Sequence, residues 1–232
     1  MRGIPSSPAD WEKVYNAVES APTLGFDTEF YGLDIKKVST PHRSKLHVIS
    51  LAWPDPSWEL DPRGYPVIKS GVFLPSDLAA LRNNLEDPFI TKVAHNLPVD
   101  QHTLLNSGIE LEGAVNTLSW ARWLHPEWDS KAGGPGFSLD AIGKLILGEG
   151  KSCSYSELVT YEENKLTFKK MKVCQCQKSK CRKSGESHSK DVIEVVSKVK
   201  KVRKETPLEE ILPGHPRWPV LVPYAALDAV LA

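Results

Sequence analysis

The sequence predicts an α/β protein built on a mixed β-sheet that is flanked by helices. Short apolar runs alternate along the chain with segments whose apolar residues recur every three to four positions, as in strands interleaved with helices. The length of 232 residues is enough for one large domain or two small ones with a buried core. An apolar fraction of 41% and a charged fraction of 25% are ordinary for a globular protein.

The first part of the chain is predicted to form one helix and three strands. Trp11, Val14 and Val18 make an apolar stripe at helical spacing, and Ser7 or Asp10 is available as a cap. Strands are then expected in the apolar stretches TLGFDTEF, LHVISLAWP and GYPVIKSGVFLP, the first two being separated by a polar loop.

The next part adds helices between two short strands. Ser76 is a suitable cap for the helix SDLAALRNNLED, and Pro98 lies in the first turn of LPVDQHTLLNSGI, where its missing N–H has no cost. FITKVAHN is a predicted strand, and EGAVNTLSWARWLHP is a strand that runs into a helix. After the break KAGGPG, the compact amphipathic helix FSLDAIGKLILG completes a domain predicted to comprise residues 1–150 and 207–232.

Residues 151–206 differ in composition and are predicted to be a basic insertion. Between Lys165 and Lys204 there are fourteen basic residues and three acidic ones, so the rest of this formally neutral chain is acidic. Such a charge suits the phosphate backbone of a nucleic acid. The candidate contacts in this segment are Lys178, Lys180, Arg182 and Lys183.

The insertion also contains a possible zinc site with the spacing C-x-C-x4-C-x6-H. Three thiolates and an imidazole are a suitable ligand set for tetrahedral Zn²⁺, although the first gap is shorter than usual. The alternative is a solvated basic loop with free cysteines. Because the segment is too polar to bury a core, we expect it to be loose without metal. The predicted ligands of one zinc ion are Cys174, Cys176, Cys181 and His188.

Two carboxylates lie two positions apart in the first predicted strand. Residues i and i+2 of a strand point to the same face, so Asp27 and Glu29 project together. The same pattern is typical of a solvent-facing sheet edge. A bare pair would repel, whereas a divalent cation reverses that effect.

Two further pairs have helical i, i+4 spacing. Asn96 and Asp100 lie at the start of a predicted helix, where Asn96 is alternatively a cap. Tyr224 and Asp228 lie in a late helix whose first turn is predicted to contain Pro223. The alternative for this helix is an amphipathic one in which the tyrosine packs and the aspartate is solvated.

These three motifs together resemble the signatures of the DEDD 3′–5′ exonucleases of the tyrosine subtype. KVAHNLPVDQHTLL and YAALDA are especially similar to the proofreading domain of family A (Klenow-type) DNA polymerases, and FSLDAIGKLILG resembles a helix between the second and third motifs. The resemblance covers residues 20–150 and 207–232 and implies a ribonuclease H-like fold. It does not extend to the insertion.

The resemblance implies metal-dependent hydrolysis. Asp27, Glu29, Asp100 and Asp228 can hold two hard cations such as Mg²⁺ or Mn²⁺, and together with Tyr224, which matches a tyrosine that places the attacking water, they are the expected catalytic residues. His215 lies thirteen residues before Asp228, which favours the tyrosine subtype over the histidine subtype. Asn96 is a further expected contact to nucleic acid.

The sequence therefore predicts a proofreading exonuclease that acts on single-stranded or frayed DNA 3′ ends, with a DNA polymerase domain or subunit as partner. Because the chain ends four residues after Asp228, we expect a piece of a polymerase or a gene product split from one. The alternatives are a free-standing RNA-processing exonuclease of the ribonuclease D type and a non-catalytic nucleic-acid-binding module.

An intracellular, reducing compartment is expected, cytoplasmic and associated with replication. The sequence contains no run of 18 apolar residues and no apolar core of a signal peptide, and its four cysteines do not resemble a secreted disulfide framework.

Overall fold

The structure, a computed structural model, divides into two compact units. The larger unit is drawn from residues 1–159 and 207–232, and the smaller from residues 160–206. The domain boundaries predicted from the sequence stay a prediction, because compactness alone does not establish independent folding. The residues that the structure describes are 8–31, 44–148, 150–151, 154–174 and 190–231.

A five-stranded sheet forms the centre of the larger unit. Its strands are β1 (Thr23–Tyr31), β2 (Lys45–Pro54), β3 (Ile68–Phe73), β4 (Thr91–Ala94) and β5 (Ala114–Asn116). The spatial order is β3-β2-β1-β4-β5, so β1 lies in the middle. The pairs β1–β2 and β2–β3 are antiparallel, whereas β1–β4 and β4–β5 are parallel. The predicted α/β class with a mixed sheet is therefore confirmed.

The larger unit also contains the described helices, which pack on both faces of this sheet. They are α1 (Pro8–Glu19), α2 (Leu78–Glu86), α3 (Pro98–Asn106), α4 (Thr117–Leu124), α5 (Leu139–Leu147), α6 (Tyr155–Val159) and α7 (Trp218–Leu231). Within the described ranges, none of the helices is both long and apolar enough to cross a membrane.

Strand β1 presents different chemistry to the two faces of the sheet. Leu24, Phe26 and Thr28 are buried, and the two apolar ones belong to a core that also includes residues of α1, α2 and α3. The intervening Asp27 and Glu29 are paired in register with Ser50 and Val48. Val48 packs in a second core cluster with residues of α7. The two carboxylates therefore lie on the α7 face of the sheet, as strand periodicity requires.

Helix α7 crosses the sheet in very close contact with β1. A Cβ atom added at Gly25 would lie 2.3 Å from the backbone oxygen of Ala229, so only glycine fits there. The helix begins at Trp218, earlier than predicted, and Pro223 lies inside it rather than in its first turn. That prediction was wrong because the apolar residues before the proline pack against the sheet and extend the helix by more than one turn.

Two predicted helix starts also differ from the structure. Pro75–Asp77 forms a short 3₁₀ turn, so Asp77 rather than Ser76 precedes α2. Asn96 lies outside α3, with a φ of 63°, and the residue next to Pro98 takes the cap position without a side-chain hydrogen bond. Asparagine tolerates this left-handed conformation, so Asn96 turns away from the helix and its pair with Asp100 does not follow simple i, i+4 geometry.

The smaller unit is a two-stranded antiparallel sheet rather than the loose segment that we expected. Its strands are β6 (Thr160–Cys174) and β7 (Lys190–Glu205), with a register irregularity between Thr167 and Phe168. Both strands alternate many lysines with Val, Ile, Leu, Met or Phe. This alternation is typical of β-strands, whereas the high charge of the segment led us to expect a loop.

Replacing Gly25 by alanine should destabilise the larger unit by roughly 1–3 kcal/mol, because the added methyl group collides with the backbone of α7. Gly71→Ala is the matched control within the same sheet, since its methyl group would meet only side-chain atoms, the nearest being the Phe73 ring at 3.3 Å, and no backbone. Urea unfolding of the two variants gives the comparison. Equal stability of both variants would contradict the close approach of α7 to β1.

Candidate active site

Three carboxylates from the two ends of the chain converge in the larger unit. Asp27 and Glu29 of β1 and Asp228 of α7 each contribute an oxygen atom, and these atoms lie within 4.8 Å of one another. Asp228 is 2% exposed. Tyr224 lies one helical turn before it and is also buried. The close packing of α7 on β1 is what brings these residues together.

Asp100, the fourth predicted carboxylate, lies beside this group but is held differently. Its Oδ1 atom accepts hydrogen bonds from the backbone N–H of Thr28 at 3.0 Å and from the Thr28 hydroxyl at 2.6 Å. Its carboxylate is not in the set whose oxygens lie within 4.8 Å. The structure thus groups three of the four predicted carboxylates and ties the fourth to the residue between the first two.

Burial and mutual repulsion make these carboxylates weak acids. Burial raises the pKa of Asp27 well above its usual range, and the charges of Glu29, Asp100 and Asp228 raise it further. Burial and the charge of Asp228 raise the pKa of Glu29 to about 8. The pKa of Asp100 is raised by burial to about 6, although its hydrogen bonds to Thr28 oppose the shift.

Lys151, which no sequence motif indicated, lies next to these carboxylates. The Nζ atom of Lys151 is 2.5 Å from Oδ2 of Asp228 and 5.2 Å from the centre of the Tyr224 ring. Burial raises the pKa of Asp228, and the hydrogen bond and charge of Lys151 oppose that rise. Lys151 follows the end of α5 in a Gly-Lys pair that has no periodic pattern, so the sequence offered no signal for it.

Asp27 and Lys151 of this site line a cleft of about 900 Å³. Its walls carry basic side chains that could meet phosphate groups, Arg122, Lys131 and Lys151, as well as Asn96. The backbone N–H of Asn96 donates a hydrogen bond to Oδ1 of Asn116 at 3.1 Å. Asn96 therefore faces the cleft from a turn, and not from a helix face as we predicted.

The structure does not test the predicted zinc ligands and basic contacts of the insertion. Cys174 is the last residue of β6, where the structure describes only the backbone. Nothing in the described residues supports a zinc ion. The remaining predicted residues lie outside the described ranges: Cys176, Cys181, His188, Lys178, Lys180, Arg182 and Lys183.

The cluster formed by Asp27, Glu29 and Asp228 has the chemistry of a site for a hard divalent cation. All of its ligand atoms are carboxylate oxygens, which Mg²⁺ and Mn²⁺ prefer. Oδ1 of Asp228 is buried and has no hydrogen-bond partner within the described part of the chain. A buried acceptor without a partner is rare, and a cation would satisfy it. The residues present therefore fit one or more divalent ions.

Comparison with known sequences and structures gives three kinds of match. A family model described as 3′–5′ exonuclease, of the DNA polymerase A type, matches residues 4–232. The DNA polymerase I A, chloroplastic/mitochondrial, of Arabidopsis thaliana is 30% identical over 157 residues. This alignment covers 66% of the chain and 12% of the plant protein, so the chain spans a small part of that relative's length.

Solved structures of two kinds also match. The Pol1 POL domain from M. smegmatis, in complex with DNA primer-template and dNTP, is 18% identical with a TM-score of 0.43, covering 64% of this chain and 23% of that one. RNase D of Trypanosoma brucei is 14% identical with a TM-score of 0.45, covering 67% and 50% of the two chains. RNase D of Escherichia coli is 19% identical with a TM-score of 0.42, covering 68% and 36%.

Without metal, the protein should lose stability as the pH rises from about 7 to about 8. The folded state keeps a proton on Glu29 that the unfolded state has lost, so it binds more protons and its free energy of unfolding falls with rising pH. His47 and His95, whose folded-state pKa values burial lowers, oppose this loss only while they are still protonated in the unfolded state, an effect that fades above about pH 7. The expected loss is roughly 1 kcal/mol.

Urea unfolding in EDTA at several pH values measures this slope. Glu29→Gln should flatten it, whereas Glu19→Gln, a change at an exposed residue of α1, should leave it unchanged. A wild-type protein whose stability is constant or rises across this window would contradict the raised pKa of Glu29.

Proposed function

The chain belongs to the DnaQ-like 3′–5′ exonuclease family, and on that premise we propose that it hydrolyses the terminal phosphodiester of single-stranded or frayed DNA 3′ ends as the proofreading domain of a DNA polymerase. The family carries a ribonuclease H-like α/β fold and acts on nucleic acid 3′ ends. The observation that carries the proposal is the convergence of Asp27, Glu29 and Asp228, with Asp27 lining a cleft whose walls carry basic side chains. The tyrosine subtype is part of this proposal.

Exonucleases of this family use divalent metal ions, Mg²⁺ or Mn²⁺. We propose that Asp27, Glu29 and Asp228, with Asp100 beside them, hold two such ions. When bound, the ions supply an activated water and stabilise the leaving 3′ oxygen. The protein's own contribution is to fix the carboxylates on a central strand and a buried helix, so that little rearrangement accompanies the reaction.

Tyr224 is proposed to orient the attacking water through its hydroxyl group. Its ring is buried on α7, one turn from Asp228, so the packing of the helix fixes its position. Arg122 and Lys131, on the cleft wall, are proposed to bind phosphates of the strand that leads into the site. The basic insertion would add further sequence-independent attraction to the same backbone.

The preference for DNA rests on the type of family model and on the plant polymerase relative. A degradation assay with labelled single-stranded DNA and RNA, in Mg²⁺, Mn²⁺ or EDTA, tests it. Metal-dependent shortening of DNA from the 3′ end is the expected result. Faster degradation of RNA would favour the ribonuclease D alternative, and binding without degradation would favour the non-catalytic one.

Asp27→Ala should lower the rate of hydrolysis at least about a hundredfold, the scale on which a preorganised electrostatic group acts. Its stability should hold or rise, because a repelling charge leaves the group. The assay above and a thermal melt measure the two effects. Glu19→Ala, which removes an exposed carboxylate from α1, is the matched control. Hydrolysis by Asp27→Ala at the parent rate would show that the site assignment is wrong.

Tyr224→Phe should slow hydrolysis roughly a hundredfold, in the range of a positioned proton-transfer or water-orienting group. Binding of Mn²⁺, measured by calorimetry, should stay intact, because the hydroxyl is not a proposed ligand. The ring and its packing are kept, so the fold serves as the internal control. Loss of Mn²⁺ binding in this variant would count against the role of Tyr224.

Mismatched 3′ termini should be cut faster than matched ones. The terminal phosphodiester has to separate from the partner strand to reach the cleft, and unpairing one base costs a few kcal/mol, by analogy with base extrusion from a duplex. A mismatch has already lost part of that energy. Single-turnover rates on two duplexes that differ only in the last base pair make the comparison. Equal rates would argue against proofreading while leaving the exonuclease activity in place.

A further inference from the structure

Lys151 occupies the position of a cation among the carboxylates. We propose that Lys151 is a built-in counter-ion of the group, which holds Asp228 while no metal is bound and has to leave it before a divalent ion binds there. This inference rests on the proposed metal site. It assigns to Lys151 a positioning role that sets how tightly the site binds metal.

The ion pair joins a buried acid to a partly accessible base. The side chain of Asp228 is 2% exposed and that of Lys151 is 32% exposed, and the two charged atoms are 2.5 Å apart. A buried carboxylate without a partner is strongly destabilising. The charge of Lys151 also lowers the pKa values of Asp27 and Glu29, so its influence extends across the group. One ammonium group thus neutralises part of the negative charge of several acids.

Contacts between the backbone at residues 150–151 and helix α5 fix the position of Lys151. The N–H of Lys151 donates a hydrogen bond to Oδ1 of Asp140 in α5 at 2.9 Å. At Gly150, an added Cβ would lie 2.4 Å from the same oxygen and 2.6 Å from Cε of Lys144. The backbone before Lys151 therefore lies against the Asp140 and Lys144 side chains of α5, which would have to move to admit a Cβ atom. This close packing directs the side chain of Lys151 toward Asp228.

The same ammonium group also lies against Tyr224. Its Nζ atom is 5.2 Å from the ring centre, a distance at which a cation is attracted to an aromatic face. Lys151 therefore contacts both the proposed metal ligand and the proposed water-orienting residue. A divalent ion bound through the unpartnered Oδ1 atom of Asp228 would place its charge beside this ammonium group on Oδ2 and repel it.

Lysine is suited to this exchange because its charge sits on a flexible four-carbon stem. The side chain lines the open cleft, so it has a route away from Asp228. A divalent ion brings twice the charge and replaces the lysine only by breaking its ion pair. The apparent metal affinity is consequently lower than that of the free carboxylates, while the metal-free protein keeps its site assembled.

Lys151→Met tests this proposal, because it keeps an unbranched apolar side chain and removes the charge. In EDTA the variant should melt at a lower temperature than the wild-type protein. Calorimetric titration should show Mn²⁺ binding about tenfold tighter than in the wild type. Lys69→Met is the matched control, since Lys69 of β3 also pairs with an aspartate, Asp55, but is 48% exposed and lies outside the carboxylate cluster. Its Mn²⁺ affinity should not change.

The outcomes separate this inference from the proposed function. If the wild type and Lys151→Met bind Mn²⁺ with equal affinity, the counter-ion role is wrong and the metal site stands. If neither protein binds Mn²⁺, the metal site and the inference both fail. Unfolding of Lys151→Met in EDTA that Mn²⁺ reverses would support the role, and unfolding that Mn²⁺ does not reverse would overturn it.

Discussion

Repulsion among buried carboxylates is the constraint on which the candidate active site depends. Three acids meet with oxygens within 4.8 Å of one another, and burial raises the pKa of each of them. Such a group persists only if protons, a basic side chain or metal ions reduce its charge. Lys151 supplies one positive charge, and the unpartnered oxygen of Asp228 indicates that the group can accept more.

The fold places these acids from two distant parts of the chain. Strand β1 alternates buried apolar residues with Asp27 and Glu29, and α7 returns from the end of the chain to bring Asp228 over the same face. Gly25 permits this approach, because any side chain there would collide with the helix. Strand and helix periodicity were enough to predict which residues share a face, since both properties are local to a few consecutive residues.

Other features of the structure could not be predicted from the spacing of neighbouring residues in the sequence. Lys151 reaches Asp228 across 77 positions through packing on α5, and no spacing in the sequence indicates it. Asn96 adopts a left-handed turn before Pro98, and Pro223 lies within a helix that tertiary packing extends. The β6–β7 pair escaped prediction because its many lysines suggested a solvated loop, although its alternating residues satisfy a β-pattern. In each case tertiary contacts or a competing signal outweighed the local rule.

Anomalous scattering from crystals soaked in Mn²⁺ would test the central claim most directly. Manganese is expected between Asp27, Glu29 and Asp228, with the ammonium group of Lys151 moved away from Asp228. Both positions are visible in one difference map, so metal binding and lysine displacement are observed together. An intact Lys151–Asp228 pair with no manganese at the carboxylates, in crystals that bind the ion elsewhere, would contradict it.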